Sequence, residues 1–373
     1  MNTERARRAR RARQQSELTP VAGPPVRWGL QQAAALLVEP SSTDDKYRRG
    51  ILGLRTGSAA YPGAAVLGAE AAWRTGLGLL RFTPPLDDIA GTLGLPSPAA
   101  AVLAARPETV FLADPTSAHV PSNAWLIGSG TDPTQRSEQE RDALRALLAG
   151  DTPVVIDAGA LDLVVDRAQS NVGTEPAPRR IASHGTPVRD HAGAPLILTP
   201  HRGEFVALWN AAGLGLRPTG WPSRGRGGRD RVPAESALIA AATTLAGKLG
   251  ASVLLKGSTS VTATPGGLVF LSGPATPWLA TAGTGDVLAG ILGALVAAHA
   301  DSVREDHELL GALGASAAVL HDAAARRASG DPQSLGHSPE PGQGGLGGPI
   351  TAFDVARALP ATVAQLLVER RDR

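Results

Sequence analysis

Thr281-Ala282-Gly283-Thr284-Gly285-Asp286-Val287-Leu288-Ala289-Gly290 is a glycine-rich turn that runs directly into an apolar helix. Two glycines at this spacing let backbone N–H groups come close to an anion. The helix that follows adds partial positive charge at the same place. An aspartate on that spot repels a bound phosphate, so its presence needs a reason. Two reasons fit the turn alone. Asp286 can take a proton from a hydroxyl that attacks the phosphate, or it can simply stabilise the first helical turn.

Outward from this turn the chain alternates between short apolar runs and helical periodicity. Strands are expected at 51–55, 78–82, 124–127, 153–157, 195–198, 252–256, 260–263 and 268–271. The last two form a hairpin across Pro265-Gly266-Gly267. Helices are expected at 30–38, 64–74, 137–148, 203–211, 234–249, 285–298, 305–327 and 352–368. Strands alternating with helices imply an α/β fold with a mostly parallel sheet covered on both faces. Three stretches rich in Gly, Pro, Ser or Arg break the rhythm, at 173–194, 217–231 and 329–349. The alternation resumes after each, so they are insertions on one domain spanning 31–373 and not linkers. No internal repeat is present.

Composition narrows the function classes. The 373 residues are 43% hydrophobic but only 3% aromatic, so Ala, Leu and Val must fill the core. The absence of cysteine excludes disulfides, cysteine-held iron–sulfur clusters and thiolate zinc sites. Of 36 basic residues only Lys46, Lys248 and Lys256 are lysines. The pI near 9.4 comes from one end of the chain. Residues 1–13 hold six arginines against Glu4, a local +5 in a chain of net +2, which leaves the remainder at −3. Residues 1–30 therefore read as a disordered Arg-rich tail, with an RNA-binding or targeting arm as the alternative. No apolar segment follows these arginines as a secretory signal requires. The longest apolar run, 287–298, is too short to span a bilayer. Neither a membrane nor a nucleic-acid partner is expected, and a cytoplasmic setting fits.

The ten-residue string resembles the anion-hole and catalytic-aspartate segment of the ribokinase-like superfamily. Its ending Gly285-Asp286-Val287-Leu288-Ala289-Gly290 is similar to the carbohydrate-kinase-related NAD(P)H-hydrate dehydratases. Four more segments agree, in that family's order: Lys46-Tyr47-Arg48-Arg49-Gly50 leading to Gly57-Ser58-Ala59-Ala60-Tyr61-Pro62-Gly63-Ala64; Leu126-Ile127-Gly128-Ser129-Gly130; Thr199-Pro200-His201-Arg202-Gly203-Glu204-Phe205; and Leu254-Leu255-Lys256-Gly257-Ser258-Thr259-Ser260. Together they span roughly 30–370. The departures are Ser129 and Arg202 in place of Pro, Ala282 in place of Gly, and Gly159 and Asp162 where the family has Asp and Asn.

The resemblance implies a ribokinase-like three-layer α/β/α fold and an ADP- or ATP-dependent dehydration of the 6-hydroxylated hydrate of NADH or NADPH, a repair of damaged cofactor. It implies Asp286 as catalytic base; Ala64, Gly130, His201 and Asp286 as substrate contacts; and Lys256, Gly257, Ser258, Thr259, Ser260, Gly283, Thr284 and Gly285 as nucleotide contacts. It also implies magnesium, a homotetramer and a functional link to a separately encoded epimerase, whose domain is not expected in this chain. Bacterial relatives imply ADP over ATP. Asp157 ends a buried strand, where it either touches magnesium or water near the phosphates or caps the strand end. The competing class is a small-molecule kinase of the hydroxymethylpyrimidine or hydroxyethylthiazole type. It shares the Gly-Thr-Gly-Asp turn but fits Tyr61-Pro62-Gly63-Ala64 and the His201 segment less well. A nucleotide-binding sensor without catalysis is the third reading.

Overall fold

The computed structural model describes residues 23–87, 94–114, 119–170, 179–181, 187–189, 193–222, 233–331 and 347–372. In chain order the strands are β1 (Val26–Arg27), β2 (Ile51–Arg55), β3 (Leu79–Phe82), β4 (Val110–Phe111), β5 (Ala124–Ile127), β6 (Val154–Ile156), β7 (Arg179–Ile181), β8 (Pro187–Arg189), β9 (Leu196–Leu198), β10 (Ser252–Leu255), β11 (Ser260–Ala263) and β12 (Val269–Ser272). The helices are α1 (Leu30–Ala35), α2 (Pro62–Thr75), α3 (Pro98–Ala105), α4 (Glu138–Ala149), α5 (Asp162–Ser170), α6 (Arg202–Ala211), α7 (Glu235–Leu249), α8 (Thr284–Ala298), α9 (Ala300–Glu305), α10 (Leu309–Ser329) and α11 (Ala352–Arg371).

Ten strands form one sheet in the order β1-β12-β11-β10-β9-β6-β5-β2-β3-β4. Only β11 runs against its neighbours, so the sheet is mostly parallel as expected. Residue alternation builds two cores from the same strands. Phe82, Leu54, Leu126, Val155 and Ile197 stand side by side across five strands. All five belong to the core beneath α1, α2, α8, α10 and α11. Their chain neighbours Ile127, Val154, Ile156, Leu196 and Leu198 face the other way, onto α4, α5, α6 and α7. The result is three layers, the architecture that the alternation of elements implies.

Helix α8 lies against α2 with almost no space between them. A Cβ on Gly290 would sit 2.4 Å from the Gly68 carbonyl oxygen, so only glycine permits this approach. The contact fixes the helix whose first turn carries Asp286.

The composition-based tail ends earlier than residue 30. Strand β1 pairs in parallel with β12, and the Trp28 indole N–H donates to Ser316 Oγ at 2.8 Å. Trp28 also packs edge-on against Phe270 at 5.1 Å. One aromatic side chain anchors a segment too short to show periodicity. Of the three irregular stretches, 173–194 contributes β7 and β8, which pair as their own antiparallel sheet. Residues 1–22, most of 217–231 and most of 329–349 lie outside the described residues. Among the described residues no helix is long and apolar enough to cross a membrane.

Candidate active site

The strands β10, β9, β6, β5 and β2 present their C-terminal ends along one rim, where 57–64, 128–130, 199–205, 256–260 and the turn at 283–286 gather, whereas 46–50 precede β2 and lie at the opposite end of the sheet, by the last turn of α8. The first turn of α8 is opened by Gly283 at φ 86°, a left-handed conformation suited to glycine. A Cβ there would also meet Leu67 Cδ1 at 2.6 Å. The Thr284 hydroxyl is tied to the carbonyls of Thr281 and Leu279, both at 2.8 Å, which closes the turn. The N–H of Asp286 bonds the Gly283 carbonyl at 3.1 Å and that of Thr284 bonds Thr281 at 3.4 Å. The Gly285 N–H is left as a first-turn donor with no backbone partner among the described residues.

Lys256, at the end of β10, reaches this turn. A Cβ on Gly285 would lie 3.6 Å from its Nζ, so the ammonium sits over the opening of α8. Its other side contacts Asp157 Oδ1 at 2.9 Å. Burial draws the Lys256 pKa down, but Asp157, Glu204 and Asp286 around it outweigh that, and the net shift is upward. Lys256 is thus a held cation and not a surface lysine.

Asp157 does not cap its strand end. It makes no side-chain cap bond to the short turn that follows it. Its Oδ1 accepts from Thr199 Oγ1 at 2.7 Å as well as from Lys256, and its Oδ2 accepts from Ser129 Oγ at 2.9 Å. Burial alone would raise its pKa; Lys256 and these hydroxyls reverse the direction and hold it below the usual range. Ser129 and Thr199 were not legible as partners, because residues 129, 157, 199 and 256 sit in four separate segments. The one signal was Ser129 itself, standing where the resembling family has a proline that offers no hydroxyl.

Asp286 is mostly buried beside these groups. Burial pushes its pKa up to about 6, Asp157 adds to the rise, and Lys256 opposes it. A carboxylate poised near neutrality, at an anion-binding helix start and beside a lysine, suits a proton acceptor.

His201 is the N-cap of α6. Its Nδ1 accepts from the N–H groups of Gly203 at 2.9 Å and Glu204 at 3.2 Å, while Glu204 Oε2 accepts from the His201 N–H at 2.7 Å. With Nδ1 committed as acceptor, a neutral ring carries its proton on Nε2, which lies 3.5 Å from Glu204 Oε1 on an exposed side chain. A backbone bridge links His201 to Lys256, placing the two on adjacent strand ends. Further along the rim, the turn at Gly128–Gly130 meets the start of α2. A Cβ on Gly130 would lie 2.4 Å from Ala64 Cβ, and Gly57 N donates to Ser129 O at 2.7 Å.

Gly257, Ser258 and Thr259 follow Lys256 in a turn onto β11. Gly257 and Ser258 are exposed, whereas Ser260 is already buried within β11. The turn is braced by Ala275 N donating to Ser258 O at 2.7 Å. The departures Gly159 and Asp162 are joined by Arg136, which bonds the Gly159 carbonyl and the Asp162 carboxylate. Sequence reasoning also missed His321. It is buried in α10 behind the α8 turn, with no hydrogen-bond partner on Nε2. Burial is the main cause that lowers its pKa to about 4, so it is neutral near pH 7; a bond with the Thr284 backbone only partly opposes that.

Among the described residues no three metal-ligating side chains converge. The Asp157 oxygens are occupied by Lys256, Thr199 and Ser129. Among the described residues, these side chains do not make a protein cage for a cation.

Comparisons with known proteins place this rim in a family. Residues 52–339 match the model of the Carb_kinase family, described as NAD(P)H-hydrate dehydratase. The chain is 38% identical over 259 residues to the bifunctional NAD(P)H-hydrate repair enzyme Nnr of Mycobacterium tuberculosis, covering 69% of this chain and 43% of that protein. It is 30% identical over 288 residues to an ADP-dependent (S)-NAD(P)H-hydrate dehydratase of Xanthomonas campestris, covering 75% of this chain and 84% of that one. The chain thus spans less than half the length of the bifunctional relative. A crystal structure of ADP/ATP-dependent NAD(P)H-hydrate dehydratase from Bacillus subtilis, co-crystallised with ATP/Mg2+, shares the fold with a TM-score of 0.62 at 24% identity, over 92% of this chain and 100% of that chain. With more than half of its length matched by the family model, the chain belongs to the NAD(P)H-hydrate dehydratase family.

Proposed function

We infer that this protein dehydrates the 6-hydroxylated hydrate of NADH or NADPH at the expense of ADP or ATP, with release of AMP or ADP and phosphate. The observation that carries this is Asp286, a carboxylate with pKa about 6 at the anion-binding start of α8, beside the held Lys256. Hydroxide is a poor leaving group, and phosphorylation turns it into phosphate, a far better one. Asp286 accepts the proton of the C6 hydroxyl as that oxygen attacks the terminal phosphorus of the nucleotide. The new P–O bond forms as the bond to the nucleotide breaks. The Gly285 N–H and the Lys256 ammonium face the transferred group and stabilise its charge. The ring nitrogen lone pair then expels phosphate from C6, and loss of a C5 proton restores the dihydronicotinamide.

Ala64, Gly130 and His201 are the proposed substrate contacts. Lys256 to Ser260 and Gly283 to Gly285 are the proposed nucleotide contacts. Magnesium is proposed only as a counter-ion brought by the phosphates, which it neutralises; this matches the lack of a protein cage among the described residues. A homotetramer, a cytoplasmic setting and a hydrate epimerase as functional partner complete the proposal, on the strength of the family resemblance. The test is incubation with magnesium, the 6S hydrate and either nucleotide. Return of reduced-ring absorbance, with stoichiometric phosphate, is the expected result. No return, together with phosphorylation of a hydroxymethylpyrimidine or hydroxyethylthiazole, would overturn it.

A further inference from the structure

Lys256 stands near two carboxylates and bonds only one of them. Its Nζ donates to Asp157 Oδ1 at 2.9 Å. Asp286 and Lys256 also act on each other's charge, yet among the described residues no hydrogen bond or ion pair joins them. The division of this ammonium between two anions follows from what else each anion holds.

Asp157 is 2% exposed, and Ser129 and Thr199 are 1% exposed. The Thr199 hydroxyl donates to Oδ1 at 2.7 Å and the Ser129 hydroxyl to Oδ2 at 2.9 Å. Two hydroxyls from two other strand ends thus fix the Asp157 carboxylate as an anion. A buried anion is tolerated only beside a counter-charge, and Lys256 is the cation within reach. Asp286 has no such partners. Burial and two charges act on its carboxyl, with no hydrogen bond among the causes. Its oxygens stay open to a proton from outside the protein. An ion pair with Lys256 would cover them and lower their proton affinity.

The other elements packed against α8 bring no substitute cation among the described residues. On α2, Glu70 is held by Arg74 and Arg106. On α10, Arg326 is held by Asp322 and Asp331, Arg327 bonds Gln365, and His321 is neutral near pH 7. On α11, Asp354 accepts from Thr351, and Arg357 stacks over Phe353. Glu204 of α6 bears on Lys256, but its Oε2 accepts from the His201 N–H.

We propose that Asp157 is a positioning residue which, clamped by Ser129 and Thr199, holds Lys256 off Asp286, so that the ammonium faces the phosphates while Asp286 stays free to take a proton. Its catalytic consequence rests on the hydrate-repair function inferred above. The two carboxylates divide the work: one holds the cation and the other moves the proton. Asp157 is then no metal ligand, because both its oxygens are already engaged.

The experiment follows the carboxyl carbon of Asp286 by NMR in protein labelled with 13C-aspartate, its signal assigned by loss in Asp286→Asn. The wild-type carboxyl should titrate near 6. In Asp157→Asn the repelling anion is gone and Lys256 is free to turn to Asp286. Both changes favour the ionised form, so the midpoint should fall by about 1 unit or more. Asp157→Ser, also neutral, reads the same shift should the asparagine disturb folding. Adding Lys256→Met to either variant should bring the midpoint back to about 6 or above, since burial alone then acts. The acid limb of kcat/KM for hydrate repair should move down with the midpoint in Asp157→Asn. Its plateau should drop about tenfold or more, because the base is covered. Half-saturating magnesium should not change. A midpoint that stays put in a folded neutral variant would overturn the proposal, as would one that fails to recover when Lys256 is also removed. A tenfold rise in the magnesium requirement would make Asp157 a metal ligand and overturn it too. If the wild type turns over neither hydrate, the function proposed above is lost, and the carboxyl titration still decides how Lys256 is divided.

Discussion

Asp286 joins two measurable properties in one side chain. As the proposed proton acceptor it must be ionised, so kcat/KM for hydrate repair should rise with pH through about 6 and level off above. A flat profile between pH 5 and 8 would remove it as the base. Asp286→Asn should lower turnover by about 10²–10⁴-fold while nucleotide binding is kept or strengthened, since a negative charge near the phosphates is gone. The same shift has a stability consequence of opposite sense. The folded pKa lies above the ordinary 3.8, so the protonated form is favoured in the fold. That contribution is complete below about pH 4 and lost as pH rises through about 6. Asp286→Asn cannot ionise. It should therefore be more stable than the wild type at pH 8, by up to about 3 kcal/mol, and gain nothing near pH 3.5. Paired melting curves at the two pH values decide this.

At the scale of the element, helix starts and helix crossings set the site. His201 serves α6 through its Nδ1, so replacement by alanine should cost about 0.5–2 kcal/mol of stability. Asparagine can accept the same N–H bonds and should restore stability. On the proposed substrate contact, turnover should stay low in both variants, because the imidazole is absent from both. Denaturant titration beside kinetics separates the cap from the contact. Gly290→Ala should cost about 1–3 kcal/mol by forcing α8 away from α2; an unchanged urea midpoint would contradict the close crossing. The start of α8 was legible because glycines, threonine and aspartate precede an unbroken apolar run. Asp157 was legible only as a strand end. Its role depends on Ser129, Thr199 and Lys256, which meet through strand order, and local sequence carries no record of strand order. Strands β1 and β4 have two residues each and show no periodicity, so only tertiary pairing reveals them.

Across the whole molecule, one sheet separates two apolar cores, and the pattern of alternating runs foretold that much. The sheet reaches from residue 26 to residue 272 without a break in pairing. Trp28 holds its outer margin. Trp28→Ala removes the bond to Ser316 and the edge contact with Phe270, and should cost about 2–4 kcal/mol. A loss below about 0.5 kcal/mol in chemical denaturation would show that β1 is not anchored by this side chain.

The pairing of β1 with β12 also orders events during synthesis. Val26 is among the first described residues to leave the ribosome, yet its partner Phe270 follows more than two hundred residues later. The central strands β2, β3 and β5 can pair while translation continues, but the margin beyond β12 cannot close until that hairpin has emerged. The apolar side of β12 and the indole of Trp28 must wait apart through most of elongation. Nascent chains stalled before residue 269 should hence present Trp28 to solvent, and chains released past β12 should shield it.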